Sequence, residues 1–157
     1  MTEDIAIGTL DIQARIDELE VAMQDFESVD CPLIHTFTDG MYRRQITMPK
    51  GSLITSKIHL TEHPFAITKG SVWVRINADD WEYLEAPYNG ITKPGTRRVL
   101  YIEEECIWTT YHSIPFIMGE DDNLDEENKL KMVELIEDII LDKRVNPLLE
   151  QKQNLLL

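Results

Sequence analysis

Apolar residues near the start of the chain recur at helical intervals. Ile5, Ile12, Ile16, Leu19, Met23 and Phe26 are separated by seven, four, three, four and three residues, the a/d spacing of a heptad seam. The spacing predicts a helix within residues 1–28, with Thr9 and Asp11 as candidate caps. The pattern ends at Asp30, Cys31 and Pro32, because proline disfavours helix in the residue before it. Such a seam suits either a short oligomerising helix or a helix laid against its own domain.

From residue 29 to 116 the period changes. Gly and Pro punctuate the chain at short intervals, and the runs between them are rich in Ile, Val, Thr, Tyr and Trp, which predicts an all-β sandwich or barrel. In VWVRI, Val72, Val74 and Ile76 should face one way and Trp73 and Arg75 the other. In CIWTTYH, Cys106, Trp108, Thr110 and His112 should share a face. Residues 117–157 return to helical spacing. Met132, Leu135, Ile136, Ile139 and Ile140 form an apolar stripe between an acidic opening and Lys143 and Arg144, so a docked helix is expected there. The run EDDNLDEE lacks the spacing and the glycine of a calcium loop and reads as helix entry plus solvated charge. The last stretch, NPLLEQKQNLLL, is apolar enough to pack on its own domain or on a neighbour.

Composition narrows the class. A chain of 157 residues, 43% hydrophobic and 28% charged, can bury one core. Nothing approaches the ~18–20 apolar residues of a membrane span, and MTEDIAIGTLD lacks a signal-peptide pattern, so a soluble intracellular protein with no membrane partner is expected. Cys31 and Cys106 read as reduced thiols rather than a bridge. With 29 acidic residues against 15 basic ones and a formal charge of -14, nucleic acid is excluded as a general partner. The pairs Arg43-Arg44 and Arg97-Arg98 can still form a local cationic site.

The candidate chemistry lies in residues 51–70, GSLITSKIHLTEHPFAITKG. This stretch resembles the first cupin motif, in which a glycine leads to H-x-H, a glutamate and a further glycine. His63 stands at the glutamate position, His59 at the second histidine and Lys57 at the first. KPGTRRV resembles the second motif, with Arg98 in the place of its histidine. Across most of the chain, FTDGMYRRQITMPKGSLITSKIHLTEH and EAPYNGITKPGTRRVLYIEEECIWTTYHSIP are similar to a group of small cupin-fold proteins encoded by tailed phages. The resemblance implies a mainly β, cupin-type jelly-roll barrel with an N-terminal and a C-terminal helix. It also implies a phage origin, hence host cytoplasm or virion, but no assigned activity.

In the cupin framework His59, His63 and His112 can converge at the barrel mouth, with Glu62 as a possible fourth ligand. Three neutral imidazoles and an open position suit one divalent cation, zinc, manganese, nickel or iron. An enzyme would also need a positioned proton donor or acceptor. Tyr42, Tyr101, Tyr111 and Glu62 are available by type, and Cys106 and His112 lie too far apart on one strand to form a dyad.

Three functions are therefore expected, in this order. The first is a non-catalytic, homo-oligomeric phage protein, structural or accessory, that associates with other phage proteins. The second is a metal-dependent cupin enzyme acting on a small polar substrate. The third is a module that sequesters a small anion such as a nucleotide, with Arg44, Arg97 and Arg98 as counter-charges and Tyr42 beside them.

Overall fold

The computed structural model describes residues 2–77, 80–115, 125–143 and 146–149, with side chains from residue 13 onward. Helix α1 (Thr2–Met23) leads into strands β1 (Leu33–Thr38), β2 (Met41–Met48), β3 (Leu53–Thr55), β4 (His63–Ile76), β5 (Glu82–Glu85), β6 (Tyr88–Thr92) and β7 (Arg98–Ser113), followed by helix α2 (Glu126–Ile140). The expected architecture is observed: mainly β, antiparallel, with a helix on each side of the strands in sequence. Among the described residues no helix is long and apolar enough to cross a membrane.

Two long strands organise the sheet, whose order is β1-β2-β7-β4-β5 with β3 added on β7 and β6 on β4. Each long strand changes partner along its length. On β4, residues 63–67 pair with β6 and residues 71–74 with β5. On β7, residues 106–113 pair with β2 and residues 99–101 with β3. The change on β4 comes at a kink. Gly70 has φ +82°, and a Cβ there would lie 2.0 Å from the Glu105 carbonyl oxygen, so only glycine permits this approach. The β4–β7 register shifts on both sides of it, which bends the sheet as bulges do.

The two-residue period decides what lies inside. Val72 and Val74 are buried while Trp73 and Arg75 are exposed, and Cys106, Trp108 and His112 are buried with Thr110 partly so. Val72, Val74, Cys106 and Trp108, with Met48, Phe65, Ile67, Leu100 and Ile102, form the barrel core. Both cysteines are free thiols.

The helices depart from their patterns in detail. Helix α1 begins before Thr9 and Asp11, so neither caps it, and it ends at Met23, leaving Phe26 beyond it and 76% exposed. Ile16 of the seam is buried within its own chain, and Leu19 and Met23 are half-buried. A polar face supplies the visible contacts. The Arg97 guanidinium donates to Asp17 at 3.0 Å, Glu20 at 2.8 Å and Gln13 at 3.0 Å. In α2, Asp125 caps the first turn by accepting from the Asn128 N–H at 2.8 Å. The buried face is Val133, Ile136 and Ile140, continued by Leu141; Leu135 and Ile139 of the expected stripe are exposed. Both sets satisfy helical spacing, and contact with Tyr42 and Ile114 selects the first. Most of the acidic run, residues 120–124, lies outside the described residues, as do residues 150–157 of the terminal stretch.

Candidate functional site

The segment between β3 and β4 carries His59 into the barrel mouth. Its backbone N–H donates to Thr96 O at 2.9 Å, and its carbonyl accepts from Gly95 N–H at 2.7 Å, so the Pro-Gly turn before β7 sets its position. On the other side His59 bridges to Leu141, with Leu60 N–H donating to Ile140 O at 2.8 Å and Asp142 N–H to Ile58 O at 2.9 Å. The end of α2 is thereby strapped across the mouth.

His63 opens β4, and His112 lies near the end of β7. The imidazoles meet in a row: ring centroids are 5.1 Å apart for His59 and His63 and 4.2 Å for His63 and His112. The row continues through Tyr42, 5.8 Å from His112, to His35, which shares a 2.5 Å hydrogen bond with the Tyr42 hydroxyl. Each of the first three rings has one buried nitrogen without a partner among the described residues: His59 Nδ1, His63 Nε2 and His112 Nδ1. His63 Nδ1–H donates to Thr61 O at 3.0 Å, which leaves Nε2 as the bare lone pair. His112 Nε2 pairs with Thr110 Oγ1 at 2.8 Å.

These rings are held neutral. Burial drives His112 down to about 3 and His59 to about 4, aided by each ring's histidine and arginine neighbours. His63 is also lowered, chiefly by burial, against its bond to Thr61. As a donor set, three neutral imidazoles with free nitrogens have the chemistry a divalent cation requires. Their placement is a row, and among the described residues no three His, Cys, Asp or Glu side chains close on one point suited to a metal.

Beside the row lies a cavity of about 300 Å³ whose lining includes His59, His112, Arg98, Trp108, Leu100 and Met48 on the barrel side, and Glu137 and Ile140 of α2 with Leu141 just after it. Among the described residues three cations line it, Arg44, Lys57 and Arg98, against one carboxylate, Glu137. In a chain of formal charge -14, this hollow has the opposite balance to the rest of the molecule.

Arg98 is 4% exposed. Its Nη2 donates to Thr92 Oγ1 at 2.9 Å, and its Cζ lies 5.0 Å from the Phe65 ring centroid and 5.4 Å from that of Trp108. Burial lowers the guanidinium to about 10. Three carboxylates of the neighbouring strands and turns are engaged elsewhere: Glu62 pairs with Lys93, Glu105 with Lys69, and Glu103 accepts from Trp73. Among the described residues no carboxylate forms an ion pair with Arg98.

The other candidates separate. Arg44 lines the cavity and is paired with Glu137 at 3.4 Å. Arg97 does not line it; it is buried against Asp17 and Glu20 of α1. Tyr42 is fully buried between Phe37 and His112 and, like Tyr101, Tyr111 and Glu62, does not reach the cavity. Glu62 is exposed and stands apart from the imidazoles, with its carboxylate on Lys93. Reasoning from the sequence missed Phe65, Thr92 and Trp108 as the box around Arg98. The alternation that placed Trp108 with His112, and Phe65 two residues after His63, could have revealed two of them.

No family model and no curated protein matches the chain. Solved structures resemble part of the chain at low identity. A cupin-2 domain containing protein from Shewanella frigidimarina is 12% identical, with 61% of this chain and 92% of that chain covered and a TM-score of 0.43. A double-stranded β-helix domain protein from Klebsiella pneumoniae is 15% identical over 56% and 80%, with a TM-score of 0.48. An RmlC-like cupin family protein from Methanocaldococcus jannaschii is 10% identical over 56% and 85%, with a TM-score of 0.44.

Proposed function

We propose that this chain is a non-catalytic binding module of cupin-type fold whose barrel cavity sequesters a small anion. The observation that carries this reading is Arg98, a buried cation facing the cavity without an ion-pair partner among the described residues. Taking a guanidinium out of water costs several kcal/mol unless a counter-charge or a full set of hydrogen bonds compensates. Here one hydroxyl and two aromatic faces do so. An anion entering the cavity would supply the missing charge, in the planar bidentate geometry that arginine favours. Against catalysis, His59 at about 4 and His112 at about 3 are poorly matched as bases to neutral pH.

The resemblance to tailed-phage proteins extends this proposal to a phage-encoded accessory protein that works as a homo-oligomer in the host cytoplasm or the virion. Light scattering of the full chain tests the assembly, and a monomer at tens of micromolar would remove that part. The binding claim is tested by thermal shift with benzoate, hexanoate, inorganic phosphate and nucleoside monophosphates on wild type and Arg98→Met. Stabilisation by at least one anion that disappears in the variant supports it. An equal response from both proteins overturns it.

A second reading is favoured by the three unpartnered imidazole nitrogens: His59, His63 and His112 hold a zinc, manganese, nickel or ferrous ion after a small rotation of the rings. Elemental analysis of untagged protein, repeated for His59→Ala and His63→Ala, decides it. Near-stoichiometric metal lost in both variants supports the ion. Substoichiometric metal, with no stabilisation on adding any of the four ions, removes it.

A further inference from the structure

The wall of the cavity says more about its ligand than Arg98 alone, if the anion-binding reading on which this inference rests holds. Away from the cations the lining is mainly apolar, with Ile46, Met48, Ile54, Leu100, Trp108 and Ile140 around the hollow, interrupted by the hydroxyls of Thr55, Ser56 and Thr110 and by two imidazoles. A volume of about 300 Å³ is at the small end of ligand pockets. A group with two negative charges and no apolar body would leave these walls without a partner, and a nucleotide would bring a large polar sugar against them. A single carboxylate on a short aliphatic chain or one ring matches both the charge and the walls.

The second cation has a different status from the first. Arg44 reaches the same cavity, but Glu137 of α2 holds it at 3.4 Å, and both side chains are about one quarter exposed, at 27% and 26%. Glu137 is the one carboxylate among the described lining residues. It therefore occupies Arg44 and repels any anion that enters. Arg98 has no such competitor among the described residues.

We propose that the cavity takes a small monocarboxylate with an apolar body, anchored on Arg98, and that Glu137 is an internal competitor that weakens binding by holding Arg44. Glu137 acts through charge, so it is a specificity-determining residue rather than a structural one. Entry of the carboxylate sets two anions around Arg44, and the ligand wins only if Arg98 holds it. Because Glu137 sits on α2, whose Ile140 closes the same cavity with Leu141 just after it, the competition also ties the strap across the mouth to occupancy. Removing the negative charge at a few ångströms' distance in a partly buried site should strengthen carboxylate binding by roughly tenfold.

The test is calorimetric titration of the full chain with benzoate, hexanoate, inorganic phosphate and the neutral analogue benzamide. The proteins are wild type, Arg98→Met, Glu137→Gln and Arg44→Met, each checked for native circular dichroism. We expect benzoate or hexanoate to bind wild type more tightly than phosphate does. Glu137→Gln should gain roughly tenfold for the carboxylates and nothing for benzamide, and Arg98→Met should lose binding. Arg44→Met should bind carboxylates no more tightly than wild type, because Glu137 then stands unpaired. Carboxylate binding that survives in Arg98→Met would overturn the binding reading itself. Loss in Arg98→Met with no gain in Glu137→Gln, or an equal gain for benzamide, would overturn only the role of Glu137. Phosphate binding more tightly than either carboxylate, or no carboxylate binding at millimolar concentration, would overturn the ligand class.

Discussion

Replacing Arg98 by Met keeps an unbranched stem of similar length and removes only the charge and its fork. Burial lowers the guanidinium from its ordinary value to about 10. At ~1.4 kcal/mol per decade, that places ~3 kcal/mol against the charged form in the native state. Two contacts with aromatic faces, Phe65 and Trp108, return ~1–2 kcal/mol together, and the bond to Thr92 returns ~1.5 kcal/mol. The arginine is thus close to balance. Methionine drops both sides of that comparison and adds apolar contact with Phe65, Trp108 and Leu100, against an orphaned Thr92 hydroxyl. Arg98→Met should therefore be stabilised by ~1 kcal/mol, in line with apolar replacement of buried charges elsewhere. For a chain of this length that is a rise in Tm of about 2–4 °C, read by scanning calorimetry in a buffer free of small carboxylates. A fall equivalent to ~3–5 kcal/mol, the usual result of removing one member of a buried ion pair, would refute the reasoning. It would mean that Arg98 already has an internal counter-charge.

Three further outcomes follow from the packing. Gly70→Ala forces a Cβ to 2.0 Å from the Glu105 carbonyl at a φ of +82° and should cost at least ~2–3 kcal/mol in urea denaturation; a change below ~0.5 kcal/mol would mean the kink is not needed. Asp17→Ala leaves Arg97 buried with Glu20 as its remaining carboxylate partner among the described residues and should cost ~3 kcal/mol, with α1 becoming the first region to exchange amide hydrogens. His59 and His112 sit at about 4 and about 3 in the fold, below their value of ~6.5 in the unfolded chain. The unfolded chain alone takes up these protons as pH falls, so stability should be level above pH ~6.5 and lost below it, by up to ~1.4 kcal/mol per pH unit for each ring. Urea titrations at pH 7, 6 and 5 should show a shallower loss for His112→Gln than for wild type; equal slopes would contradict the neutral imidazole row.

The barrel was legible because its strands carry a period of two that burial cannot shift without turning every side chain over. VWVRI sorts as that period requires, and CIWTTYH does so except at Thr109, which is buried as well. The same rule explains what was misplaced at the site. Arg97 and Arg98 are neighbours entering an extended strand, so they face opposite ways, one onto α1 and the other into the cavity. Glu62 and His63 divide likewise between surface and interior. Treating such pairs as one cationic or metal-binding unit ignored the backbone that separates them. The part played by α2 was not legible. Leu135-Ile139 and Ile136-Ile140 are equally good apolar repeats, and only the shape of the barrel mouth chooses between them. The pairing of Arg44 with Glu137 spans 93 positions in sequence, and no local pattern signals it.

The most direct measurement of the central claim is a crystal structure of the wild-type chain grown with 4-bromobenzoate, with data collected at the bromine absorption edge. The anion-binding account predicts an anomalous peak inside the barrel, between α2 and the Leu100–Trp108 wall, with the carboxylate within hydrogen-bonding distance of the Arg98 guanidinium. Bromine density confined to the outer surface, or a carboxylate inside the barrel that lies on Lys57 while Arg98 keeps only its bond to Thr92, would contradict it.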